Sequence, residues 1–181
     1  MRGKGKIIKD SSTTDVATTA SFCTGDDVLA WLCTDDARRQ ASRQAGRRPY
    51  IRHVQRGIDR VAILAPADIA ATCQSAAALH DLIEDTDWTL DDVRAEGFPT
   101  EVVDAVDSVT KRDGEDYFDM VRRAAADPVG RWVKLADNLD NADPERAAQL
   151  QPDVRARLAH KYAAARSILA DHGATDTHST P

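Results

Sequence analysis

The segment Leu79-His80-Asp81-Leu82-Ile83-Glu84-Asp85 gathers one imidazole and three carboxylates in a short stretch of chain. On a helix turning about 100° per residue, His80, Asp81, Glu84 and Asp85 share an arc of roughly 140°, with Leu79, Leu82 and Ile83 opposite. Neighbouring acids repel one another unless all of them face water or a cation neutralises them. A solvated acidic helix would satisfy the first condition. The small residues just before it, Ala70, Ala71, Ala76, Ala77 and Ala78, point instead to a helix packed closely on several sides.

A second stripe lies in Trp132-Val133-Lys134-Leu135-Ala136-Asp137-Asn138-Leu139-Asp140-Asn141. Lys134, Asp137 and Asn141, at i, i+3 and i+7, project side by side, while Trp132, Val133, Leu135, Ala136 and Leu139 fill the other face. His53 stands apart, within Pro49-Tyr50-Ile51-Arg52-His53. A lone histidine or a single His-Asp pair carries little weight. A His, then a His-Asp, then an Asp, each on its own helix with an apolar back, is a different matter. Such nitrogen and oxygen donors suit a divalent transition ion such as Mn²⁺ or Fe²⁺, and the mixture does not choose between them.

The charge distribution supplies a counterpart of such a centre only when it is followed along the chain. The net charge is −6, yet eight arginines fall between residues 38 and 60 against the single acid Asp59. Guanidinium groups match phosphate oxygens with fixed donors, so this stretch suits a ligand with several phosphates; a solvated helix face would look the same. Tyr50 is its only aromatic residue, too little for stacking bases, so no nucleic-acid partner is expected.

These residues have to be positioned by helices, since no alternating apolar segment reads as a strand. Thr24 caps a helix expected to run to about Ser42, and Gly46 to Pro49 breaks the chain. Further helices are expected at about 50–64, 67–85, 89–97, 99–110, 115–126, 128–141, 144–150 and 153–171, with prolines near several of their starts. The fold class is all-α, a compact multi-helix bundle. A length of 181 residues suits one domain. Residues 1–23 and 172–181 read as flexible tails, and 24–171 as the folded unit. No apolar run spans a membrane, and the N-terminus lacks the apolar stretch of a secretory signal, so a cytoplasmic location is expected. Cys23, Cys33 and Cys73 show no CxxC spacing and read as small apolar fillers.

Pro49-Tyr50-Ile51-Arg52-His53, AALHDLIEDTDWTLDDV (77–93), Val109-Thr110-Lys111, KLADNLDN (134–141) and Lys161-Tyr162 occur in an order and spacing that resembles the HD-domain metal-dependent phosphohydrolases. The resemblance is specifically to the hydrolase domain of the RelA/SpoT homologue family, whose hydrolase-only members degrade (p)ppGpp. It implies that His53, His80, Asp81 and Asp137 hold one divalent ion, usually Mn²⁺, and that Glu84 and Asp85 form the catalytic acidic pair. It also implies that Arg43, Lys134 and Asn141 lie near a phosphorylated nucleotide, from which pyrophosphate is released at the 3′ position; Arg48, from the arginine stretch, is expected to bind the same substrate. The chain departs from the family pattern at Gln44, Val54, Asn138 and Ala142-Asp143-Pro144. Those departures keep open an HD-domain hydrolase of another nucleotide, such as NADPH or a deoxynucleoside triphosphate; a non-catalytic nucleotide-sensing module on a degenerate HD fold is a separate alternative, with every metal and catalytic position filled here.

Overall fold

Helix starts follow from side chains that satisfy the first free amides of each element. Thr24 accepts from the Asp27 amide while Asp27 accepts from the Thr24 amide. Thr89 and Asp92 form the same reciprocal box. Asp116 accepts from Phe118 N, and Asp143 accepts from the amides of Glu145 and Arg146. The structure, a computed structural model, describes residues 24–34 and 49–176. Its elements are α1 (Gly25–Thr34), α2 (Pro49–Leu64), α3 (Ala70–Leu79), α4 (Leu82–Asp85), α5 (Leu90–Ala95), α6 (Thr100–Val109), α7 (Tyr117–Ala126), α8 (Gly130–Asn141), α9 (Pro144–Ala147) and α10 (Pro152–Asp171). Among the described residues there is no strand, and the all-α class holds. Arg43, Arg48 and the tail 1–23 lie outside the described residues, as does 177–181.

The helix expected over 67–85 is two helices with a turn at His80 and Asp81. The His80 ring donates from Nδ1 to the Ala77 carbonyl at 2.8 Å, and that carbonyl is the one the Asp81 amide would use in an unbroken α-helix. Its start also shifts, because residues 66–69 form a turn closed by Ile69 N on the Pro66 carbonyl. The turn, rather than a continuous helix face, therefore sets the direction of the His80 and Asp81 side chains.

Two apolar clusters meet at α8. The larger takes Val54, Ile58 and Val61 from α2, Cys73 and Ala76–Leu79 from α3, and Val102, Val103 and Val106 from α6, with Val133 and Ala136 from α8. Trp31 closes it, edge-on to Trp88 and Phe98 with ring centroids 5.5 and 5.0 Å apart. The smaller joins Val121, Ala125, Leu135, Ala165 and Leu169. Helix α8 thus buries one side in each cluster and keeps only an edge for Lys134, Asp137 and Asn141. Its start is pinned by Asp127, whose Oδ1 accepts from the amides of Val129 and Gly130. A side chain at Gly130 would meet Ser108 Oγ at 2.0 Å, so close approach to α6 requires glycine there. Beyond α10, Ala174 is buried and donates from its amide to the Leu169 carbonyl, which seats the first residues of the expected C-terminal tail on the bundle.

Candidate metal centre

Helix α2, the α3–α4 turn and α8 bring His53, His80 and Asp137 together, with one ligand atom from each lying within 4.8 Å of the other two. The His53 and His80 Nε2 atoms are 3.1 Å apart. Asp81 Oδ2 lies 3.5 Å from His53 Nε2 and 3.1 Å from His80 Nε2, and Asp137 Oδ1 lies 3.7 Å from His53 Nε2. All four residues expected to hold an ion are thus in one place.

The far side of each ring decides what the near side can do. His80 Nδ1 faces the Ala77 carbonyl, which can only accept, so this nitrogen carries a proton. His53 Nδ1 lies 2.8 Å from Asp140 Oδ2, an acceptor again. When both rings are neutral and anchored in this way, bare Nε2 lone pairs oppose one another across 3.1 Å, an arrangement that is favourable only with a cation between them. Metal–nitrogen bonds of about 2.1 Å meeting near a right angle span about 3 Å, so the donor set and its spacing fit one divalent ion.

A proton can take the cation's place. Burial opposes the imidazolium of His80, but the Asp81 carboxylate outweighs it and pushes His80 up to about 9. Burial likewise works against the Asp81 anion, yet His80 and His53 hold its carboxyl far below the usual range. For Asp137 burial is again opposed, here chiefly by the Lys134 charge, and the carboxyl is lowered. Lys134 donates to Asp137 Oδ2 at 2.9 Å and Asn141 donates to Oδ1 at 2.6 Å, the side-by-side arrangement expected from their spacing.

The acidic pair divides. Burial and then the charge of Asp81 hold the Asp85 carboxyl above its ordinary value, which couples Asp85 to the centre. Glu84 instead accepts from the Lys111 amide at 2.7 Å and lines a cavity of about 400 Å³ with Thr110, Lys111 and Gly114. The loop it grips is held from below by Arg123, which donates to the carbonyls of Asp107, Ser108 and Thr110 and pairs with Glu115 at 2.6 Å. On the other side of Asp137, Lys161 Nζ sits 3.6 Å from the Tyr117 ring centroid. Burial, then the charges of Lys134 and Lys111, lower the Lys161 pKa, so three ammonium groups share this side of the site.

No protein-family model matches the chain. Over 135 residues it is 35% identical to the probable GTP pyrophosphokinase of Mycobacterium leprae, covering 70% of this chain and 16% of that protein. Over 152 residues it is 31% identical to the bifunctional (p)ppGpp synthase/hydrolase SpoT of Escherichia coli, covering 78% of this chain and 21% of that protein. The chain resembles one segment of these enzymes. A guanosine-3′,5′-bis(diphosphate) 3′-pyrophosphohydrolase of Vibrio cholerae is 31% identical over 143 residues, or 73% of this chain and 19% of that one. The chain thus spans about a fifth of the length of the curated relatives it matches. Their names support the RelA/SpoT family.

Two of the departures from the family pattern have structural roles. Asn138 is buried and accepts from Arg166 at 3.0 Å, tying α8 to α10. Asp143 caps α9. One arginine of the basic stretch, Arg56, faces a carboxylate of the protein itself: its Nε and Nη2 donate to Asp140. Asp140 is the residue that sequence reasoning passes over. Its signal was present, since on a helical wheel it falls with Val133 and Ala136 on the apolar side of α8, where an acid needs a partner.

Proposed function

We propose that this chain is a metal-dependent phosphohydrolase of the HD type that releases pyrophosphate from the 3′ position of a guanosine nucleotide such as (p)ppGpp. The observation that carries the reading is the pair of Nε2 atoms 3.1 Å apart, each on a ring whose Nδ1 is already engaged by an acceptor. The substrate class is supported by relatives named as (p)ppGpp hydrolases over most of this chain. In this reading His53, His80, Asp81 and Asp137 hold one divalent ion, Mn²⁺ by family resemblance, and the protein acts in the cytoplasm without a nucleic-acid or membrane partner. Among the described residues no helix is long and apolar enough to cross a membrane.

When bound, such an ion would supply Lewis acidity and lower the pKa of a water, so that hydroxide is available as the nucleophile at neutral pH. Asp85 accepts the proton of the attacking water, for which a carboxyl held above its ordinary range is better suited than an ordinary one. Glu84 keeps the Lys111 loop in place through the 110–114 backbone. Lys134, Lys161 and Lys111 neutralise the phosphate oxygens, which could not otherwise approach four carboxylates. Asn141 orients Asp137, and Arg43 and Arg48 complete the nucleotide contacts.

A second reading, hydrolysis of another nucleotide, is favoured by one observation: Arg56 and Arg146 are engaged on Asp140, and Asn138 points into the bundle where the family pattern has a basic residue. The test is Mn²⁺-supplemented turnover on ppGpp, pppGpp, NADPH and the common nucleoside triphosphates, with products resolved as phosphate, pyrophosphate or triphosphate. Pyrophosphate from ppGpp is expected. Turnover of NADPH or a triphosphate alone would move the substrate, and bound metal without turnover of any nucleotide would make the protein a sensing module.

A further inference from the structure

Asp140 is fully buried, and its two oxygens receive four donors. Oδ1 accepts from Arg56 Nε, while Oδ2 accepts from His53 Nδ1 at 2.8 Å, Arg56 Nη2 at 3.0 Å and Arg146 Nη1 at 2.5 Å. The carboxylate and its donors come from three elements. His53 and Arg56 stand one turn apart on α2, Asp140 stands one turn past Asp137 on α8, and Arg146 rides on α9, whose start Asp143 caps. Helix α8 therefore supplies one candidate ligand, Asp137, and the partner of another, His53.

The two arginines explain why the carboxylate can be buried at all, because an unpaired anion there would be strongly unfavourable. Three guanidinium N–H groups donate to its two oxygens, an arrangement that favours the deprotonated carboxylate. An anion with its lone pairs directed at donors can only accept, so the hydrogen between it and His53 belongs to the ring.

That choice is contested on the other side of the ring. His53 Nε2 faces Asp81 Oδ2 at 3.5 Å and Asp137 Oδ1 at 3.7 Å, two carboxylates that would draw the single proton of a neutral imidazole to Nε2. A proton there would occupy the lone pair that a metal needs. His80 does not share this difficulty, since a backbone carbonyl holds its Nδ1.

We propose that Asp140, clamped by Arg56 and Arg146, is a positioning residue that keeps the neutral His53 ring protonated on Nδ1 and so leaves Nε2 free to bind the metal. The proposal rests on the reading of His53 as a ligand. It also gives Arg56 a role that the charge of the 38–60 stretch alone would assign to phosphate. Arg56 and Arg146 line, with Arg52 and His53, a cavity of about 490 Å³ in which Asp143 and Glu145 offset much of the positive charge. The arginines thus act on the protein's own carboxylate rather than forming an anion site.

The test combines a spectrum with a titration. Long-range ¹H–¹⁵N spectra of the metal-free protein, at a pH where His53 is neutral, report which ring nitrogen carries the proton. Mn²⁺ affinity is then measured by calorimetry for the native protein, Asp140→Asn and His53→Ala. The expected results are an Nδ1-protonated His53 in the native protein and Mn²⁺ binding about 10- to 100-fold weaker in Asp140→Asn, with its ring shifted toward the Nε2-protonated form. Native Mn²⁺ affinity in Asp140→Asn beside a strong loss in His53→Ala would overturn the role of Asp140 while leaving His53 a ligand. Native affinity in His53→Ala would remove the ligand reading and this proposal with it. If Asp140→Asn does not fold, the native spectrum alone decides, and an Nε2-protonated ring there overturns the proposal.

Discussion

The Glu84 carboxylate accepts a hydrogen bond from the Lys111 amide at 2.7 Å, which fastens the short helix after the His80-Asp81 turn to the loop that follows α6. Adjacent acids of one motif thus have different surroundings. Asp85→Asn is expected to retain Mn²⁺ and lose about 10²-fold or more in kcat, the range for removal of a general base. Glu84→Gln keeps an acceptor for the amide and should lose less than about tenfold. Parallel metal-binding and rate measurements check this, and the opposite ranking would assign the base to Glu84.

Metal and turnover should disappear together when a first ligand is removed. His80→Ala and Asp81→Asn are expected to lose Mn²⁺ binding and activity in step, and chelation of the native protein should reproduce the loss and be reversed by added Mn²⁺. Activity that persists in a variant without bound metal would separate the chemistry from this centre.

Proton and metal compete for His80. Its pKa is raised to about 9 in the metal-free fold, so the protonated ring contributes stability fully below its ordinary value of 6.5, and that contribution is lost as pH rises through about 9. The thermal midpoint of the metal-free protein should fall across that window. The stabilisation gained from a fixed Mn²⁺ concentration should grow over the same range, because fewer protons have to be displaced. Melting curves with and without Mn²⁺ between about pH 6 and 9.5 test both slopes, and a midpoint independent of pH without metal would contradict the assignment.

Helix α8 carries Lys134, Asp137, Asp140 and Asn141, so its seat on α6 bears on the whole site. Gly130→Ala would drive a methyl group into Ser108 Oγ and disturb the amide that donates to Asp127. Overpacking of this kind typically destabilises by about 1–3 kcal/mol. Denaturant unfolding should show that loss, accompanied by weaker Mn²⁺ binding, whereas Gly57→Ala, with nothing within 4 Å of the added carbon, should leave metal affinity unchanged.

Much of this was local and therefore legible. The Thr89–Asp92 box, the prolines opening α9 and α10, and the Lys134-Asp137-Asn141 edge all depend on residues within about two turns of one another, where helical periodicity governs. The turn at His80 is also local, yet periodicity could not foresee it, because a side chain rather than a backbone amide takes the Ala77 carbonyl.

The sequence by itself determined an all-α chain, the residue types able to hold a divalent ion, and the spacing that puts Asp137 between Lys134 and Asn141. Only the tertiary structure decided that Arg56 would serve Asp140 and that Asp140 would serve His53. Those partners are separated by 84 and 87 residues, and their meeting depends on how α2 and α8 pack. A carboxylate on an apolar helix face announces that it needs a donor. Which donor it finds is settled by packing, since burial makes an unpaired charge far costlier than any local preference of the chain.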